Sequence, residues 1–285
     1  MTFTEYLEQK KFTPATVNTY VVYLKYFTGW LQTENLNAHE ISYTGVLEFI
    51  RHLNQDGRSK RTIYHLLCIM RHYFNYLIAE SKRTDNPAAG VFIKGLVRKL
   101  PTGLLTMEEL EELFKQYNIQ LGVERSKKIM FALMVYQGVS VGELMRIESK
   151  DIKLKEGKIK IRAAKRTNER LLNLNANQMT DMQQYLNENK FKEGCLFTET
   201  TKSKTSKRNI NNRIKYMFLQ LKKLNPKVIN AKQIRSSVIT QWLRQNNLRQ
   251  VQYMAGHKYV SSTERYQVNN LDDLKNEIGQ HHPMS

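Results

Sequence analysis

The chain has 285 residues, room for about two domains that could each bury a core without disulfides, and its two cysteines, Cys68 and Cys195, lie in apolar segments. That count excludes a disulfide-stapled scaffold and a cysteine metal cluster, and no apolar run reaches the roughly eighteen residues of a membrane span. Net charge is +19 and unevenly spread: Met1 to Leu100 holds 13 Lys+Arg against 8 Asp+Glu, the remainder 32 against 18, and the 64 residues from Thr200 to Thr263 hold 14 basic residues and no acid, which points to a phosphate-bearing partner.

Thr4 to Gln9 reads as a short helix. Thr13-Pro14 then places a capping hydroxyl before Pro at the first helical position, and Val17, Tyr20, Val21, Leu24, Phe27 and Trp30 follow at helical spacing. Two further helices run from Ser42 to Asn54, with Val46, Phe49, Ile50 and Leu53 inward, and from Ser59 to about Glu80, with Ile63, Leu66, Leu67, Met70, Phe74 and Leu77 inward. The four together form a first domain, residues 1–90, closing at Asp85-Asn86-Pro87, where Pro disfavours a helical residue before it. Residues 91–103 read as a basic linker without helical period.

The second domain, 104–285, opens on Thr106-Met107-Glu108-Glu109, a capping box leading into a helix from Leu110 to Tyr117. Helices continue from Arg125 to Tyr136 and from Gly142 to Ile147. Lys158 to Arg162 alternates strictly and Arg170 to Leu174 reads as its partner strand after a polar turn, so a β-hairpin is expected. The rest is helical again: Met179 to Asn187, Ser206 to Leu224, Ala231 to Arg244 and Leu248 to Ala255. The expected fold class is therefore mainly α with a small β-sheet or hairpin, an α-helical first domain followed by an α+β second one.

Lys232 and Arg235 stand three apart on one helix and so share a face, while Ile234, Val238, Ile239 and Trp242 can bury the other. Gly256-His257 follows, and Tyr266 lies nine residues after His257. Attack on a phosphodiester needs a nucleophile, a group to take its proton, cations on the non-bridging oxygens and an acid for the leaving oxygen. A free phenol has pKa near about 10, so nearby positive charge must favour its phenolate. Alone, each of these residues is more often structural: a Tyr in a core, a His at a helix cap, a turn lysine in solvent.

In this order and spacing, the Lys-x-x-Arg, Gly-His and Tyr pattern resembles the tyrosine recombinases, the phage integrase family, and specifically the two-domain XerC/XerD-like type. The resemblance implies an N-terminal four-helix, SAM-like core-binding domain and a C-terminal catalytic domain that close on double-stranded DNA. It implies a site-specific recombinase or integrase that cuts and rejoins strands through a 3′-phosphotyrosyl bond, with no metal and no cofactor. Tyr266 would be the nucleophile, Arg235 and His257 would hold the scissile phosphate, Lys232 would accept the phenolic proton, and Lys165 in the hairpin turn would protonate the leaving 5′ oxygen. Four protomers on two duplexes are expected, with the amphipathic segment inside 271–285 packing on a neighbour, and with host DNA-bending proteins as candidate helpers. DNA contacts are expected from Arg166, Arg170, Lys207, Arg208 and Arg213. The start, Met1-Thr2-Phe3-Thr4-Glu5, carries no leader pattern, so the cytoplasm is the expected compartment and no membrane is a partner.

One position departs from the family. Where it has an Arg in a Gly-Leu-Arg-x-Ser-Glu-Leu context, this chain reads Gly138-Val139-Ser140-Val141-Gly142-Glu143-Leu144, so Ser140 replaces the first catalytic Arg. Losing such a donor costs about two to three powers of ten in rate. Arg166 and Arg170, on the hairpin, are the expected substitutes. The alternatives are a weak or inactive recombinase-fold DNA-binding protein, a helix-turn-helix regulator, for which Tyr266, Arg235 and His257 need not converge, and a type IB topoisomerase.

Overall fold

The computed structural model describes residues 1–96, 102–164, 167–189, 194–197 and 206–267, with the backbone alone for 206–209. It divides into two compact units, Met1–Arg98 and Lys99–Ser285. No helix among the described residues is long and apolar enough to cross a membrane.

The first unit is four helices, α1 (Phe3–Gln9), α2 (Pro14–Thr33), α3 (Tyr43–Gln55) and α4 (Lys60–Ala79). Each starts at a hydroxyl the sequence offers: Thr2, Thr13, Ser42 and Ser59 all accept a backbone N–H of the first turn, and Pro14 occupies the position where no donor is missed. The inward faces of α2, α3 and α4 meet in one core that includes Phe27, Trp30, Phe49, Leu67, Met70 and Phe74. After α4 the chain turns back at Asn86, whose side-chain amide donates to Arg71 O and whose Oδ1 accepts from Ala88 N–H, while the Arg71 guanidinium donates to the carbonyls of Ala88 and Val91.

The second unit begins with α5 (Met107–Ile119), capped by the expected Thr106/Glu109 box, and α6 (Arg125–Gln137), which is buried along most of its length. Gly138, at φ 57°, ends α6 in the left-handed region, and Ser140 then caps a single turn, α7 (Val141–Leu144). The helix expected over Gly142 to Ile147 is thus shorter and starts earlier, because Ser140 rather than Gly142 supplies the cap. A three-stranded antiparallel sheet follows, β1 (Ile152–Lys153), β2 (Lys158–Ile161) and β3 (Arg170–Asn173), in that spatial order. Ile159, Ile161 and Leu172 face the core. Beyond it lie α8 (Ala176–Asn189), α9 (Ser206–Leu224), α10 (Ala231–Gln245), α11 (Leu248–Ala255) and, the last among the described residues, α12, residues 261–267.

Candidate active site

The site is organised around one buried acid. Glu143 projects from α7 with its side chain 1% exposed, and its carboxylate is the acceptor for four groups. Ser140 donates its backbone N–H (2.9 Å) and its hydroxyl (2.8 Å) to Oε2, Arg235 donates Nη1 to the same oxygen (3.1 Å), and Arg170 donates Nη1 to Oε1 (2.7 Å). Burial alone would raise the Glu143 pKa, but Arg170, Arg235 and the Ser140 backbone outweigh it and bring the group down to about 2. It is an anion at any physiological pH. Two guanidiniums share this one carboxylate, so the cluster keeps an excess of positive charge.

Arg235 is presented by α10, which Asn230 caps and which buries Ile234, Val238 and Ile239 on its opposite face. Besides Glu143, its guanidinium donates to Gly138 O and to Ala255 O (2.6 Å), so the ends of α6 and α11 hold the fork in place. A guanidinium held this way is preorganised, so a ligand that met it would pay little for ordering it. Lys232, one turn earlier on the same helix, is exposed.

His257 follows Gly256, the left-handed C-cap of α11 at φ 68°. A Cβ at Gly256 would run into the Arg170 guanidinium and lie 3.1 Å from Asn168 O, so glycine is required by both conformation and space. The imidazole is buried and its Nδ1 lies 2.8 Å from the Thr263 hydroxyl on α12. Burial, then the positive charges of Arg235, Arg265 and Arg170, pull its pKa down to about 4, so at neutral pH it is a neutral imidazole. The Thr263 hydroxyl fixes the orientation of the ring through Nδ1.

Tyr266 stacks on this imidazole, with ring centroids 6.0 Å apart and planes 11° from parallel. Its ring is 4% exposed, against Ile239, Val251 and Ala255. The phenol oxygen accepts from Arg265 Nη2 at 3.2 Å, and the same guanidinium lies over the Tyr266 ring, 5.0 Å from its centroid. Burial, Glu143, Arg170, Tyr266 and Arg265, in that order, all act on Arg235, and the net effect lowers its pKa. The structure thus brings Arg235, His257 and Tyr266 into one cluster within a single chain.

The hairpin turn is fastened to the same place. Ala164 and Thr167 pair across the turn, Thr167 pairs in turn with His257, and Asn168 N–H donates to Gly256 O at 2.9 Å. Lys165 and Arg166 fall outside the described residues, as do the side chains of Lys207 and Arg208, although both of the latter lie in the first turn of α9. Arg170 and Arg213 differ from the expected DNA-facing cations. The Arg170 side chain is fully buried, because strand alternation puts it on the same face as Leu172, where Glu143 receives it. Arg213 is turned inward by the Phe197 carbonyl (3.0 Å), the Ser126 hydroxyl and an ion pair to Glu124 (3.0 Å). Glu143 and Thr263 belong to the pattern in the sequence but were given no role there. A lone acid in the apolar stretch Val139 to Ile147 was the available signal for Glu143, since an acid there needs a buried cation.

A hidden-arginine site with a phenol, an imidazole and a hairpin turn agrees with what the family comparison gives: the model for the phage integrase family matches residues 104–272, and that for the phage integrase N-terminal SAM-like domain matches residues 1–81. The chain belongs to the phage integrase family. It is similar to tyrosine recombinase XerD of Proteus mirabilis, 26% identical over 279 residues that cover 94% of this chain and 87% of the relative. Tyrosine recombinase XerA of Thermococcus kodakarensis is 25% identical over 280 residues, covering 96% and 91%. Among solved structures, the fold matches XerH site-specific recombinase bound to its difH substrate with TM-score 0.68 at 20% identity, covering 92% of this chain and 79% of that one. The Tn1549 transposon integrase in complex with a circular intermediate DNA matches with TM-score 0.68 at 13% identity, covering 93% and 95%. This family member is mostly helical, with a small three-stranded sheet, as the sequence led us to expect.

Proposed function

We propose that this phage integrase family protein is a tyrosine-type site-specific recombinase that binds double-stranded DNA and exchanges strands through a covalent 3′-phosphotyrosyl intermediate. The observation that carries the reading is the seating of the Tyr266 phenol against His257 and Arg265, beside an Arg235 fork held by two helix ends, in a cluster with more positive than negative charge. Phosphate supplies the missing anion. In the reaction, Tyr266 Oη attacks the scissile phosphorus and the bond to the 5′ oxygen breaks. Lys232 takes the phenolic proton, Lys165 gives one to the departing 5′ oxygen, and Arg235 and neutral His257 hold the non-bridging oxygens. The phosphotyrosyl ester retains the energy of the cut bond, so a 5′ hydroxyl from a second duplex reverses the step without ATP.

The same reading assigns residues 1–90 to core binding, 91–103 to a linker and 104–285 to catalysis, with 271–285 exchanged between the four protomers of a synaptic complex. Arg166, Lys207 and Arg208 are assigned to the DNA backbone, host bending proteins to assistance, and the cytoplasm to the site of action. Incubation with a nicked suicide substrate tests the core of it. A covalent protein–DNA adduct that disappears in Tyr266→Phe is the expected result; DNA that is shifted but never joined to protein would make this a binding protein instead.

A further inference from the structure

By the resemblance, Ser140 stands where a catalytic Arg is expected, and that serine is fully committed, capping α7 and donating to Glu143. A second guanidinium must come from somewhere else if the pentacovalent phosphorus, with its two charged equatorial oxygens, is to be met as in two-arginine sites. Arg170 cannot meet it: its side chain has no solvent exposure, its Nη1 is on Glu143, and the Gly256 backbone covers it. Its Nε and Nη2 are buried without a partner among the described residues, so it contributes charge to the cluster but no surface to a ligand.

We infer that Arg265, the residue directly before the nucleophile, is a further catalytic residue that supplies this second guanidinium. It rests on the reading of Tyr266 as nucleophile. Three observations carry it. Arg265 is exposed, whereas Arg170 and Arg235 are tied down inside. No salt bridge to Arg265 is formed among the described residues, and its hydrogen bond goes to the phenol instead. Its Nη2 already donates to the phenol oxygen at 3.2 Å, with the fork lying over the ring, so a guanidinium stands beside the reacting oxygen before any ligand arrives. When Oη bonds to phosphorus, the non-bridging oxygens of that phosphorus come next to Oη, within the span of the same fork, and a bidentate guanidinium suits two oxygens on one centre. The bonds are those already given: O–P forms, P–O5′ breaks, the phenolic proton leaves to Lys232, and Arg265 keeps all its protons throughout. Before attack it stabilises negative charge on Oη; afterwards the same charge has passed to the equatorial oxygens it then binds.

The test is single-turnover adduct formation on a nicked duplex with wild type, Arg265→Ala, Arg265→Lys and Tyr266→Phe. Arg265→Ala is expected to form adduct about 100- to 1,000-fold more slowly, with its thermal midpoint and its affinity for the duplex little changed. Arg265→Lys should recover only part of the rate, since an ammonium lacks the fork. Added guanidinium ion should speed the Ala variant by tenfold or more and leave wild type unaffected, and the Ala defect should shrink on a methylphosphonate linkage, which lacks the charge the cation would neutralise. An Arg265→Ala rate within threefold of wild type overturns the inference, as does a defect that neither guanidinium nor the methylphosphonate reduces. If wild type itself forms no adduct, the reading of Tyr266 fails first, and the two failures are told apart.

Discussion

Glu143→Gln removes the one carboxylate that two guanidiniums share, and its consequence can be worked out from the geometry. Gln can still accept from Ser140 and one Arg, so hydrogen bonding is largely kept and the change is mainly one of charge. Arg170, with no exposure, then has no counterion, and removing one member of a buried ion pair costs about 3–5 kcal/mol. A second route gives a similar figure: lowering the carboxyl from 4.5 to about 2 corresponds to about 3 kcal/mol of preference for the ionised folded state. For a unit of this size each kcal/mol moves the midpoint by about 2–4 °C, so the variant should melt roughly 6–20 °C lower. The pH dependence has a definite sign. Because the folded pKa is depressed, the Glu143 contribution is complete above the unfolded value near 4.5 and is lost as pH falls towards 2, so wild type should lose its advantage over Glu143→Gln across that window. Urea denaturation at pH 7 and at pH 3 measures both. Combining Glu143→Gln with Arg170→Met removes the stranded cation as well, so the double variant should be more stable than the sum of the single losses, by on the order of 1–3 kcal/mol. A Glu143→Gln loss below about 1 kcal/mol at pH 7, or strict additivity, would refute the account of the cluster.

Gly256→Ala should destabilise the second unit by about 1–3 kcal/mol, since it places a Cβ at positive φ against Arg170, and should reduce DNA cleavage by displacing His257; denaturation and adduct formation report the two effects separately. His257 has a folded pKa of about 4, below its ordinary 6.5, so its contribution to stability is complete above 6.5 and is lost as pH falls to 4; His257→Gln should flatten the stability profile in that interval when unfolding is followed from pH 7.5 to 4.5. Thr263→Val keeps the side-chain shape but removes the hydroxyl at Nδ1, which should lower stability by about 1 kcal/mol and slow adduct formation, while a rate equal to wild type would show that the imidazole needs no orienting partner.

Most helices were legible because their starts are written locally: Thr13-Pro14, Ser42, Ser59 and the Thr106/Glu109 box each satisfy first-turn donors without reference to distant residues. The hairpin was legible from the alternation of Lys158 to Ile161. β1 was not, since two residues carry no period, and neither was α12, a single short helix whose apolar content is little more than Tyr266 itself. The acid partners of Arg170 and Arg213 were not legible, for a shared reason. A basic residue in a basic region looks solvated until its acid is known, and Glu143 and Glu124 lie 27 and 89 residues away in the chain. Spacing put Tyr266 and His257 forward together, and the structure stacks their rings; the buried carboxylate beside Arg235 is a tertiary fact that no spacing announces.

The pairing of Thr167 with His257 and the bond from Asn168 to the Gly256 carbonyl make the hairpin and the imidazole one mechanical part. A displacement of the strand end at Thr167 and Asn168 would therefore be transmitted to the backbone at Gly256 and His257. The mouth of the hairpin and the end of α11 thus behave as one stiff join, so a change made on one strand of it is felt at the neighbouring helix cap.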